Sequence, residues 1–251
     1  MKKSQALLLG AGILSASFLM AACGSTQSNA ADKTYSYVFA SNPDTLDYIT
    51  STRGSTSSIT TNLIDGLLEN DKYGNLVPSM AESWTVSKDG LTYTYKIRQG
   101  AKWYTSEGEE YAEVTAHDFV TGLKYAADKK AENLYLVQDS IKGLADYVEG
   151  KTSDFETVGV KAVDDYTLQY TLNKPESYWN SKTTGGILSP VNEAFLKSKG
   201  DDFGSVTSSS ILSNGPYLFK SFTSKSLIEF EKNPNYWDKD NVKIEKVKLS
   251  F

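Results

Sequence analysis

The sequence predicts a mixed α/β fold, and three observations carry that prediction. An Asp89-Gly90 pair joins two strand-like runs at 83–87 and 91–97, and glycine supplies the positive φ that a tight hairpin turn needs. A second pair of runs, 158–163 and 166–172, meets at Asp164-Asp165. Between the hairpins, Thr115 is placed to cap a helix with Asp118 three residues on. Ala116, Phe119, Val120, Leu123 and Ala127 then follow at helical spacing.

The other elements follow in chain order. Residues 34–40 alternate Tyr35, Tyr37 and Phe39 with smaller side chains, a strand pattern that Asn42-Pro43-Asp44 ends in a turn. Residues 51–58 are polar, with Gly54 in their middle, and read as an irregular segment; helical spacing begins at Ile59, Leu63, Ile64 and Leu67. A turn is expected at 70–74, a short helical turn at 78–84 and a second helix at 133–148. Short helices are expected at 175–182 and 192–199, the second closed by Gly200. Runs at 217–222 and 227–230 pair across a Ser/Lys turn. Val247, Leu249 and Phe251 alternate with Lys246, Lys248 and Ser250 in a last strand. A chain whose apolar strand face is still running at its final residue is expected to be a fragment or a truncated product.

Residues 1–22 read as a secretory leader: Lys2 and Lys3 form a basic start, an apolar run follows, and small residues precede Cys23. Cys23 is the sole cysteine, which excludes an internal disulfide and points to a lipidation site. Residues 23–32 are a polar flexible tether. These features predict a lipid-anchored protein on the outer side of the cell membrane.

The formal net charge of -5 argues against nucleic acid as a partner. His117 is the only histidine, so a Ser-His-Asp triad would have to use it. It stands beside a helix start and off the apolar stripe, as a solvated residue does. Glu107, Glu109, Glu110 and Glu113 cluster without the spacing of a calcium loop. Gly185-Gly186 lacks the Lys-Ser/Thr of a phosphate loop. No catalytic residue, metal site or cofactor is therefore expected.

Longer segments are more informative. Pro78-Ser79-Met80-Ala81-Glu82-Ser83-Trp84 leads to Asp89-Gly90-Leu91, then to Arg98-Gln99-Gly100-Ala101-Lys102-Trp103 and Thr115-Ala116-His117-Asp118-Phe119. Asn214-Gly215-Pro216-Tyr217 and Asn233-Pro234-Asn235-Tyr236-Trp237 complete the series. In this order, behind a lipobox-like leader, the motifs resemble the family 5 solute-binding proteins of peptide and nickel ABC importers, nearest the streptococcal-type oligopeptide-binding lipoproteins. Read by themselves the motifs are scaffold: Trp84, Trp103 and Trp237 are expected in cores, Thr115 as a cap and Asn233-Pro234 as a turn.

The resemblance implies a periplasmic-binding-protein type II-like fold, here incomplete, with a first lobe and an inserted domain and no second lobe. Mapped onto this chain, 33–64 and 190–251 form lobe I and 65–189 the inserted domain II. It also implies a monomeric receptor that holds oligopeptides in extended form and passes them to the membrane permease subunits of an importer. The wall of the site falls between Leu46-Asp47 and Gly66-Leu67-Leu68, which brackets Ser51, Thr52, Arg53 and Gly54; Asn214, Gly215 and Tyr217 are the second candidates. A receptor for nickel, haem or a sugar, a non-functional fragment, and a cell-surface enzyme are the alternatives.

Overall fold

The structure is a computed structural model that describes residues 33–251. The leader, the lipidation site at Cys23 and the tether lie outside the described residues. The chain enters through strand β1 (Thr34–Val38) and the short helix α1 (Gly54–Thr60). Strands β2 (Leu68–Asn70) and β3 (Leu76–Pro78) pair with each other, and β4 (Ala81–Val86) and β5 (Thr92–Ile97) form the hairpin that follows. A small ribbon of β6 (Lys102–Tyr104) and β7 (Glu110–Glu113) leads to α2 (Ala116–Asp128) and α3 (Leu144–Val148). Strands β8 (Val160–Asp164) and β9 (Thr167–Thr171), helix α4 (Glu193–Lys199), and strands β10 (Tyr217–Thr223), β11 (Leu227–Lys232) and β12 (Lys246–Ser250) complete the chain.

Two four-stranded sheets organise it. One is antiparallel in the order β4-β5-β9-β8, and α2 packs against β8 and β9. The other runs β1-β12-β11-β10, with β1 parallel to β12 and the remaining pairs antiparallel. The second sheet thus joins the first strand of the fold to its last three.

The local causes are visible. Gly90 turns the β4–β5 hairpin at φ +72, and the Asp89 carboxylate accepts the Leu91 N–H at 3.1 Å. On β5, Tyr93, Tyr95 and Ile97 alternate into the core. Thr115 and Asp118 cap α2 in a reciprocal box. Gly122 brings α2 close to the loop before α4, since a Cβ there would stand 2.2 Å from the Ser189 carbonyl oxygen. Buried Trp103, Phe119, Tyr95, Tyr170 and Trp179 fill the interior.

The structure corrects four expectations. Residues 78–84 are no helical turn: β4 starts at Ala81 and pairs along β5, setting Trp84 opposite Tyr95. The polar run 51–58 is helical from Gly54 because tertiary contacts hold it: Thr56, Ile59 and Thr60 are buried and Thr56 donates to the Thr45 carbonyl at 2.8 Å, while Ser58, Thr60 and Thr61 satisfy their hydroxyls on the carbonyl four residues back; the helix ends at Thr60, short of Leu63 and Leu67. Residues 133–148 are not one helix. A 3₁₀ turn (Glu132–Leu136) and α3 are separated at Gly143, whose φ is +72 and whose Cβ would meet the Thr157 oxygen at 2.6 Å. The helix expected at 175–182 is instead a 3₁₀ segment at Trp179–Thr184.

Candidate functional site

The segment 51–54 is held from below by Asp47, a buried carboxylate. One Asp47 oxygen accepts the Ile49 and Thr50 N–H groups at 3.0 and 3.1 Å; the other accepts the Thr50 hydroxyl at 2.6 Å and the Tyr125 hydroxyl at 2.9 Å. Gly204 permits this packing, because a Cβ there would stand 2.5 Å from the Asp47 backbone nitrogen. The loop above is open. Ser51, Thr52 and Arg53 line a groove of about 690 Å³, whose far side is Lys129, Lys130 and Glu132. Thr52 donates its hydroxyl to Glu132 at 3.0 Å, and Arg53 lies 3.3 Å from Asp44. Both partners of the Arg53–Asp44 pair are well exposed, so the pair contributes little to stability. Arg53 is extended at φ -76 and ψ 128, and Gly54 begins α1 with open space where a Cβ would go.

Asn214, Gly215 and Tyr217 occupy a different environment. Asn214 is buried and holds the Asp65 backbone, accepting its N–H at 2.9 Å and donating to its carbonyl at 3.3 Å. Gly215 donates its N–H to the Leu63 carbonyl at 2.8 Å, and a Cβ would meet that backbone at the same distance. The Tyr217 N–H donates to Asn62 and its hydroxyl to the Ile244 carbonyl, each at 3.1 Å. None of the three lines the groove at Ser51–Arg53.

The polar groups of Asn214 and Gly215 belong to a network centred on Asp65, which sequence reading missed. Its carboxylate accepts the Tyr236 hydroxyl at 2.7 Å and the Trp237 indole N–H at 3.3 Å. Burial pushes the Asp65 carboxyl up to about 6, against the lowering effect of those two donors. The Arg98 guanidinium stacks over Trp237 at 3.7 Å and donates to the Ser79 carbonyl at 3.2 Å. Asn233, fully buried, donates to the Gly215 carbonyl at 3.3 Å. Four of the motifs found in the sequence therefore meet around one carboxylate. Asp65 also borders a small cavity of about 120 Å³ with Ser57, Thr60, Glu69 and Gly185. A fifth motif, Thr115–Phe119, meets the Arg98–Trp103 segment at Asp118, which accepts the Trp103 indole N–H at 3.1 Å and the Thr115 N–H at 2.9 Å. Burial also raises Asp118 to about 6.

The remaining candidates for chemistry are dispersed. His117 lies 3.3 Å from Asp165, both largely exposed. In the acidic run, Glu110 pairs with Lys102, Glu113 accepts the Gly100 N–H at 2.8 Å and Glu107 accepts the Ser106 hydroxyl at 2.9 Å. Among the described residues no group of three or more His, Cys, Asp or Glu is placed to hold a metal ion, and no helix is long and apolar enough to cross a membrane.

A family model described as bacterial extracellular solute-binding proteins, family 5 Middle, matches residues 75–251. The chain belongs to this family. Among its curated family 5 relatives, the oligopeptide-binding protein AliA of Streptococcus pneumoniae is 64% identical over all of this chain, and SarA of Streptococcus gordonii is also 64% identical over all of it. The chain spans 38% of the first and 39% of the second. The fold agrees. The substrate-binding domain of an oligopeptide ABC transporter from Bacillus anthracis matches 88% of this chain at a TM-score of 0.81 and 32% identity. Listeria monocytogenes OppA bound to peptide matches 88% at 0.80 and 33%. The chain covers 41% and 42% of those two structures. The mixed α/β fold expected from the sequence is thus that of oligopeptide-binding proteins.

Lys129, Lys130 and Glu132, on the far wall of the groove, were not identified from the sequence. They come from the end of α2 and the turn after it, and only the tertiary fold brings them opposite residues 51–53.

Proposed function

We propose that this chain is part of an extracellular receptor that captures oligopeptides in extended form for the permease subunits of an ABC importer. The observation that carries the reading is the 64% identity, over the whole chain, to proteins named for oligopeptide binding. The open groove beside Ser51, Thr52, Arg53 and Gly54 supports it, since it leaves room along the segment for an extended peptide main chain. Asn214, Gly215 and Tyr217 serve the site indirectly, by fixing the backbone just after α1. The protein acts by binding, with no catalytic step, and as a monomer. The distribution of strands between the sheets supports a division into lobe I, 33–64 with 190–251, and an inserted domain II, 65–189.

Gly54 gives the direct test. Its missing Cβ has nothing within 4 Å, so the side chain of Gly54→Leu starts out into open space. If a peptide runs along this segment, the new side chain stands in its path, and affinity should fall about tenfold or more, ~1.4 kcal/mol at least. Calorimetry with a set of oligopeptides, alongside a melting curve, reads both quantities. Unchanged affinity in a normally folded variant removes this segment from the site.

Anchoring rests on the leader sequence and Cys23. Lipid at Cys23 places the receptor at the membrane surface, where the permease is, and Cys23→Ala should release the protein into the soluble fraction. A variant as membrane-bound as its parent on fractionation would rule the anchor out.

A further inference from the structure

Among the described residues, positive φ occurs at ten glycines and at only two other residues, Lys130 and Lys225. Lys225 lies in the turn between β10 and β11. Lys130 closes α2. Its N–H donates to the Ala127 carbonyl at 3.1 Å, and the Ala131 N–H donates to Ala126 at 3.0 Å. Helix α3 ends with the same pair of bonds, from Gly150 to Tyr147 at 3.1 Å and from Lys151 to Asp146 at 2.9 Å. There the left-handed residue is glycine, at φ +76; at the end of α2 it is lysine, at φ +50. Glycine fills this position without the Cβ conflict that any other L-residue meets, so lysine is the less stable choice. Complementing the helix dipole does not explain it, because Lys129 at the C-cap already places a cation there.

The surroundings of Lys130 give it a use. It lines the groove opposite Arg53. The two carboxylates lining the groove are engaged with other residues, Asp44 with Arg53 and Glu132 with Thr52, and Lys129 reaches towards Asp201 at 4.0 Å. No described carboxylate pairs with the Lys130 ammonium. Of the three cations lining the groove, Arg53 has Asp44 beside it and Lys129 has Asp201, which leaves Lys130 as the one without a described carboxylate partner.

We infer that Lys130 is a ligand-facing cation which, with Arg53, receives a carboxylate of the bound peptide. This rests on the peptide-binding reading and adds a preference to it. The carboxylate has two sources, an acidic side chain or the peptide's own C-terminus.

The test uses the full-length protein and three peptides of one sequence: an amidated form with Gln, the same form with a free C-terminal acid, and an amidated form with Glu in place of Gln. The parent protein should prefer one of the two anionic peptides over the neutral one by roughly fivefold, the scale of an exposed ion pair. The preferred arm identifies the source. In Lys130→Gly the preference should fall towards one while the melting temperature rises by roughly 2 °C. Lys130→Gln should lose the preference without that rise. A residue placed only to end the helix would give the thermal gain and leave the ratio unchanged. A preference that survives in Lys130→Gly, or no preference in the parent, overturns the inference and leaves peptide binding standing. A parent protein that binds none of the three peptides overturns both.

Discussion

Asp65 shows how much of this protein rests on single buried groups. Its carboxyl is raised from an ordinary value of 3.8 to about 6, mainly because burial disfavours the charge. The folded protein therefore holds the Asp65 proton more tightly than the unfolded chain does, by about 3 kcal/mol. The resulting stability is present at low pH and is lost as pH rises through about 6. Asp65→Asn can still accept the Tyr236 hydroxyl through its amide oxygen but carries no titrating group. Wild type should therefore lose about 3 kcal/mol relative to the variant between about pH 4 and pH 7. Urea unfolding at several pH values measures the difference directly, and parallel stability curves for the two proteins would contradict it. Asp118, raised in the same way, titrates in both proteins and cancels from the comparison. The motifs around Asp65 could be recognised in the sequence, but their common centre could not. Asp65 meets Tyr236 and Trp237 across more than two-thirds of the chain, and no local pattern marks a carboxylate for burial.

At the level of elements, the hairpins and the capped helix were legible because their causes are local. Asp89-Gly90 makes a turn wherever it stands between strands, and the Thr115–Asp118 box closes within one helical turn. The misread elements have causes elsewhere in the fold. Helix α1 lies in a run of Ser and Thr, residues that usually compete with helix formation. Here their hydroxyls bond back along the helix, while Ile59 is buried and Thr56 donates to the Thr45 carbonyl at 2.8 Å. The segment 133–148 carries apolar residues at helical spacing, but Gly143, at φ +72 and close to the Thr157 backbone, interrupts it. The same limit applies to the candidate site. Its near wall, 51–54, was found through family resemblance, whereas its far wall belongs to the end of a helix whose sequence says nothing of what it faces.

At the scale of the whole molecule, the sheet of β1, β12, β11 and β10 has a consequence for order of assembly. β1 has a single hydrogen-bonded neighbour, β12, and they pair in parallel from Thr34 opposite Lys246 to Val38 opposite Ser250. The pairing extends to Phe39, whose N–H donates to the Ser250 carbonyl at 2.7 Å and whose ring meets Phe251 at 5.9 Å. Thus β1 is held by a strand from the far end of the described residues, and nearly all of the chain between them must be present before the pair can form. By contrast, β5 lies between β4 and β9, all within 81–171, with Tyr95 fully buried. A chain ending at Glu245 should therefore separate the two sheets in stability. Amides across 34–38 should exchange with solvent as fast as an unpaired segment, because an edge strand stripped of its neighbour retains no ladder bonds. Amides across 92–97 should remain protected, since none of their pairing partners has been removed. Hydrogen exchange read by mass spectrometry on the two segments makes the comparison within one sample. Continued protection at 34–38 would mean that β1 is held by side-chain packing rather than by β12. Equal loss at 92–97 would mean that the two sheets unfold as one cooperative unit.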